Sequence, residues 1–184
     1  ASSEATDIVM VAIEMALALF IIAMGVKFRN YLAIALAVVQ AALVVYLETT
    51  FAGSLHAANN LFVDQFSIIM ALIIGIIGSL IAVYGVRYME TYHHHHPEVR
   101  DRQRMFFFVI FAFLAAMFGL VFSNNLMWVF FFWEVTTIAS FVLIGYSETE
   151  EATTNAFRAL VMNLLGGVAF VAALIFLAAT GPTS

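Results

Sequence analysis

The chain has 184 residues, 64% of them hydrophobic and only 10% charged, and its mean hydropathy is +1.03. Soluble domains are nearer half apolar and a quarter charged, so a water-soluble fold is excluded and most of this surface must face lipid or other membrane helices. The net charge of −5 says little by itself and no nucleic-acid partner is expected, while the absence of cysteine rules out disulfides, a thiolate metal site and a Cys nucleophile.

A membrane span needs about 20 mostly apolar residues, and stretches at roughly 8–26, 31–48, 66–88, 105–122, 125–146 and 156–180 qualify. The runs are continuous rather than alternating, which points to helices and away from a β-barrel. The sequence therefore predicts an all-α integral membrane protein of about six transmembrane helices, read as one transmembrane domain over 1–184. The stretch Ala1–Asp7 is acidic rather than basic, so no cleavable signal peptide is expected. With six spans, Lys27, Arg29, Arg87, Arg100, Arg102, Arg104 and Arg158 fall on one side, and they are all seven basic residues of the chain. Glu4, Asp7, Glu48, His56 and Asp64 fall on the other. By the positive-inside rule the basic side is cytoplasmic and both termini lie outside. The expected location is a cytoplasmic, or equivalent energy-converting, membrane.

In chain order, the first residue that could carry chemistry is Glu14, about two turns into the first span. It is either a second proton site or a residue that snorkels to the outer interface beside Asp7, and the second is the preferred expectation. His93-His94-His95-His96 falls in the connection at 89–104 and reads as a solvated loop or subunit contact, since no carboxylate or Cys pattern completes a metal site. Glu134, in Phe132-Trp133-Glu134, lies near the middle of the fifth span. Placing a carboxylate there costs about 2.5 kcal/mol or more, so it is neutralised, paired or hydrated within the bundle and is a functional candidate by default. Arg158 opens the sixth span after Glu148, Glu150 and Glu151, and spacing alone makes it a topological anchor with acidic partners. Asn163, beside Gly166-Gly167, reads first as a helix-packing residue and second as a polar step in a proton path. No phosphate loop, nucleophile elbow or CxxC is present, so no cofactor, metal or catalytic centre is expected in this chain.

Several runs together are specific. Ser123-Asn124-Asn125-Leu126 leads to Phe132-Trp133-Glu134 and then Leu143-Ile144-Gly145-Tyr146. Asn155-Ala156-Phe157-Arg158 and Gly166-Gly167 follow, and Val63-Asp64-Gln65-Phe66-Ser67 precedes them. From about residue 60 onward the chain resembles the N-terminal part of the antiporter-like subunits shared by respiratory complex I, Mrp-type Na⁺/H⁺ antiporters and membrane-bound energy-converting hydrogenases. The His run and Gly166-Gly167 look most like the hydrogenase and Mrp branches. The first two spans match only in hydrophobicity and placement. The resemblance implies a proton- or Na⁺-translocating subunit of a multisubunit membrane complex, with any redox chemistry in partner subunits. It makes Glu134 the intramembrane proton carrier and puts Arg158 at the family's basic position near the start of the sixth helix. Members of the family have about fourteen helices in two inverted repeats and couple that glutamate to a lysine on the seventh. The one lysine here is Lys27, in a connection, so the coupled lysine is expected from helices outside this sequence or from another membrane subunit. The alternative class is a non-conducting structural or assembly subunit. A self-sufficient carrier of an organic substrate is disfavoured, because one central acid forms no evident substrate site.

Overall fold

The computed structural model describes residues 2–51, 60–97 and 101–181, with side chains from Ile8 onward. His56, Arg100 and Pro182, and the side chains of Glu4 and Asp7, lie outside that description. Six helices follow in chain order: α1 (Ser2–Lys27), α2 (Tyr31–Phe51), α3 (Gln65–His95), α4 (Gln103–Phe122), α5 (Leu126–Ile144) and α6 (Glu150–Thr180). Each is long and apolar enough to cross a membrane. Among the described residues the one β-type pairing is an isolated antiparallel bridge between Leu61 and Ser123.

Polar side chains cap the helices at the described connections. Asn30 accepts from the Ala33 amide at 3.0 Å and starts α2 one residue after Arg29, whose positive φ of 55° makes the turn. Asp64 caps α3 through a reciprocal pair with Ser67. Asn125 caps α5 by accepting from the Met127 amide at 2.9 Å, and Thr149 caps α6 by accepting from Ala152 at 3.1 Å. Such caps satisfy amides that would otherwise be left bare at a helix start. Asp64 is held below the usual carboxylate range by the Ser67 hydroxyl and then by the Ser67 amide.

Two sets of contacts show that α3, α4 and α5 alternate in direction. At one end, Asn124 N–H donates to Asn60 and Phe62 N–H to Phe122, while Asn125 Nδ2 donates to Asn60 Oδ1 at 3.2 Å. At the other, Arg102 donates to Glu148 Oε1 at 2.8 Å and to the Tyr146 carbonyl at 3.0 Å. The Tyr146 hydroxyl also meets His93 Nε2 at 3.2 Å. The helices outrun the spans read from hydropathy, most visibly at α3. The expected loop at 89–104 is helical through His95, because His93 Nδ1 bonds the Met89 carbonyl at 2.9 Å and its ring packs on Tyr92 and Tyr146. His93 is thus a largely buried tether, where a solvated loop was expected.

Packing divides the six helices unequally. α1 touches α2 and α5, and α6 touches α2 and α5, so these four close into a ring. α4 packs on the outside of α5, and among the described helices α3 packs on α4. The α3–α4 seam sets glycines against large side chains: Gly75 against Phe118, Gly78 against Leu114 and Gly85 against Phe107. Small residues allow such close approach between helices in lipid, where association relies on packing. Another face of α3, with Ile69, Leu72, Ile76, Leu80 and Val83, is exposed as a lipid-facing surface would be.

Candidate functional site

The interior of the four-helix ring is layered. Toward the Lys27 end, Ile21, Ala33, Phe141, Phe157, Leu160 and Leu164 form one buried apolar cluster. Toward the other end, Val44, Leu47, Phe130, Val171 and Leu174 form a second. Between them each helix brings one residue to a polar centre: Glu14 from α1, Gln40 from α2, Glu134 from α5 and Gly167 from α6. Glu14 and Gln40 are each 6% exposed and Glu134 is 4% exposed. Glu134 stands about 12 Å along α5 from its first residue, near mid-membrane for a helix rising 1.5 Å per residue.

The Gln40 amide hydrogen-bonds the Glu134 carboxyl, and the Glu14 carboxyl is in electrostatic range of Glu134 and of Glu48. Three oxygens in this centre, Glu14 Oε2, Gln40 Oε1 and Glu134 Oε1, have no hydrogen-bond partner among the described residues. They border a cavity of about 20 Å³ whose other walls are apolar, among them Ala37, Val44, Phe130 and Leu164. That volume is about one water molecule's worth by the same measure. No Lys, Arg or His lines it.

Gly167 makes the space. A Cβ on it would lie 2.6 Å from Gln40 Oε1 and 3.1 Å from Glu134 Oε1. Its neighbour Gly166 receives Trp133, whose Cζ2 would be 3.5 Å from a Cβ there. Adjacent Trp133 and Glu134 of α5 therefore dock onto adjacent glycines of α6. The Trp133 carbonyl also accepts from the Thr136 and Thr137 hydroxyls at 2.7 and 3.1 Å.

The structure brings two of the four sequence-derived residues together and leaves two apart. Glu14 and Glu134 share the centre. The expectation that Glu14 snorkels outward is corrected: it turns inward because α2 and α5 pack on its face of α1 and supply polar neighbours. Arg158 is exposed about 14 Å along α6 from Gly167, bonds Asn155 Oδ1 at 3.3 Å and lines an open groove with Phe28 and Glu150. Glu148, expected beside it, pairs with Arg102 instead. Asn163 is half-buried one turn before Gly167 and does not line the central cavity. Gln40 escaped the sequence reading altogether. Its signal was available, since it is the lone amide in the apolar run Tyr31–Leu47.

Two family models match the chain. One, described as NADH-Ubiquinone oxidoreductase (complex I), chain 5 N-terminus, covers residues 50–107. The other, described as NADH:quinone oxidoreductase/Mrp antiporter, TM, covers residues 123–184. Among curated relatives, a Na(+)/H(+) antiporter subunit A1 of Staphylococcus haemolyticus is 29% identical over 123 residues, 66% of this chain. The subunit A1 of Staphylococcus aureus (strain JH9) is 28% identical over 120 residues, 65% of this chain. A second Staphylococcus haemolyticus relative reaches 32% identity over 115 residues, 62% of the chain. In each case the match spans 14% of the relative's own length. No solved structure matches the chain. The models cover α3, α5 and α6 and carry Glu134 and Gly167, whereas Glu14 and Gln40 come from helices outside them. This multi-pass chain belongs to the antiporter-like membrane subunit family of complex I and Mrp-type antiporters, and it corresponds to the N-terminal part of that family.

Proposed function

We propose that this chain is part of an ion-translocating subunit of a multisubunit membrane complex, and that Glu134 is the group that carries the ion. The observation that supports this most is the burial of Glu134 at mid-span, in the matched region, with one carboxyl oxygen facing a cavity. A carboxyl kept in such a place at an energetic cost is suited to accept and release a cation rather than to hold helices together. The opposite charge it works against is supplied by a lysine on helices beyond these six or on a neighbouring subunit, because Lys27, the one lysine in the sequence, ends α1 far from the centre. The basic connections face the cytoplasm, which puts the Asn60 and Asn124 end outside. No cofactor is assigned to this chain, and redox chemistry, where the complex performs it, belongs to other subunits of an oxidoreductase, a hydrogenase or an antiporter.

The test is Glu134→Gln in the intact complex, read as ions moved per turnover in sealed vesicles. Loss of at least tenfold is expected with the complex assembled at normal yield. Normal translocation combined with reduced yield would instead make the chain a structural subunit.

A further inference from the structure

We propose that Glu14, Gln40 and Glu134 form one binding site for a single small monovalent cation, either a proton held with one water or Na⁺. The proposal deepens the reading of Glu134 as carrier and rests on it. It also enlarges the site to α1 and α2, which contribute Glu14 and Gln40 from outside both family models.

Three observations carry it. The first is chemical. Every polar atom left without a partner in this centre is an acceptor oxygen, from two carboxyls and an amide on three different helices. Buried acceptors left without a donor are unfavourable, so three together in one buried layer call for a donor or a cation. Oxygen-only ligation of this kind suits hard cations. The second is size. The cavity they border, about 20 Å³, admits one water or one bare ion and no organic molecule. The third is the absence of competing cations: among the described residues no basic side chain lines the cavity beside Glu14 and Glu134. Apolar clusters on both sides exclude water from the centre and strengthen whatever electrostatic attraction operates there.

Each residue then has a distinct task. Glu134 and Glu14 supply the negative charge from the neighbouring helices α5 and α1. Gln40 bonds the Glu134 carboxyl with its amide and keeps its own oxygen toward the cavity. Gly167 keeps the α6 wall free of a Cβ that would meet both oxygens. Of the titratable groups on the helices packed around Glu14, α5 presents Glu134 and α2 presents Glu48, while α6 contributes Gly167 and Leu164, which carry none. The titratable groups that line the site are thus two carboxyls, and a monovalent cation is the charge that balances one of them with the other protonated.

The experiment is infrared difference spectroscopy of the carboxyl stretch in the whole complex, purified from membranes and reconstituted in liposomes. Acid, Na⁺ and, as control, K⁺ are the added probes. Wild-type protein is expected to show a buried carboxyl band that responds to acid. A further response to Na⁺ but not K⁺ identifies Na⁺ as an occupant, and a response to acid alone identifies the proton. Glu14→Gln and Glu134→Gln should each remove or shift that same band. Gln40→Leu, which keeps the volume and removes the amide, should shift it and weaken the apparent affinity for the responding cation at least fivefold. The proposal is overturned if Glu14→Gln and Gln40→Leu match wild type in both spectrum and transport while Glu134→Gln loses transport, an outcome that leaves the carrier reading intact. If the spectra change as expected but Glu134→Gln transports normally, the carrier reading fails and the binding site stands.

Discussion

The ring of α1, α2, α5 and α6 and the wing of α3 and α4 are built from equally apolar sequence, yet they bury different things. The wing packs glycines against Phe107, Leu114 and Phe118, and no ionisable group is buried in its seam among the described residues. The ring packs just as closely above and below but interrupts its core with two carboxyls and an amide. In lipid, close packing suffices to hold helices together. A polar layer adds a desolvation penalty and no assembly that the wing has not already managed without it. The contrast therefore assigns the polar layer to function and the glycine seam to architecture.

Matched glycine substitutions put that contrast to the test, and the largest effect is expected at the polar layer itself. Gly167→Ala drives a Cβ to 2.6 Å from Gln40 Oε1. We expect it to turn the amide away from Glu134 and reduce ion transport about tenfold or more, with the complex still assembled. Gly75→Ala is the wing control. Its Cβ would meet only Phe118 Cζ, at 3.6 Å, so transport in vesicles should equal wild type. Equal losses from both would mean that the ring holds no special site.

Gly119→Ala probes the join between wing and ring. Its Cβ would run into the Phe132 ring, which would have to shift. Overpacking of this kind costs about 1–3 kcal/mol. It should appear as a lower unfolding temperature in detergent, with transport per assembled complex retained. Arg102→Gln loosens the other end of the wing by removing a partly exposed ion pair with Glu148 and a bond to the Tyr146 carbonyl. Exposed pairs contribute about 0.2–1 kcal/mol, so a small drop in unfolding temperature that shrinks further in high salt is expected.

The smallest effect concerns pH at the wing's start. Asp64 titrates below its ordinary range because Ser67 bonds its charged form. A depressed carboxylate stabilises the fold fully above its unfolded pKa, and that contribution is lost as pH falls through the folded one. Ser67→Ala should therefore lower the unfolding temperature slightly at neutral pH and leave it unchanged at the most acid pH, so that the acid-side slope of a plot of unfolding temperature against pH flattens.

Legibility in the sequence followed the physics of each residue. Six spans could be read because hydropathy is local and lipid demands a continuous apolar run. Glu134 could be read because one carboxylate in such a run is an expensive exception. The end of α3 could not, because polar His93 reads as loop until the Tyr146 hydroxyl and the Met89 carbonyl are seen to hold it. Arg158 and Glu148 looked like partners by spacing, but the positive φ of 55° at Glu148 turns that segment toward Arg102. Gln40 went unnoticed because a neutral amide in a span carries a weaker warning than a charge.

Composition and local pattern alone establish that this chain lives in a membrane, which of its segments are long and apolar enough to cross it, which family it resembles and that Glu134 is out of place in an ordinary core. Those properties depend on residue content and on residues near one another in the chain. Tertiary packing was needed to turn Glu14 inward, to bring Gln40 beside it, and to set Gly167 where it leaves room for their oxygens. Which face of a helix meets its neighbours is set by contacts between segments far apart in the chain, and a uniformly apolar helix carries no periodic stripe that would announce it.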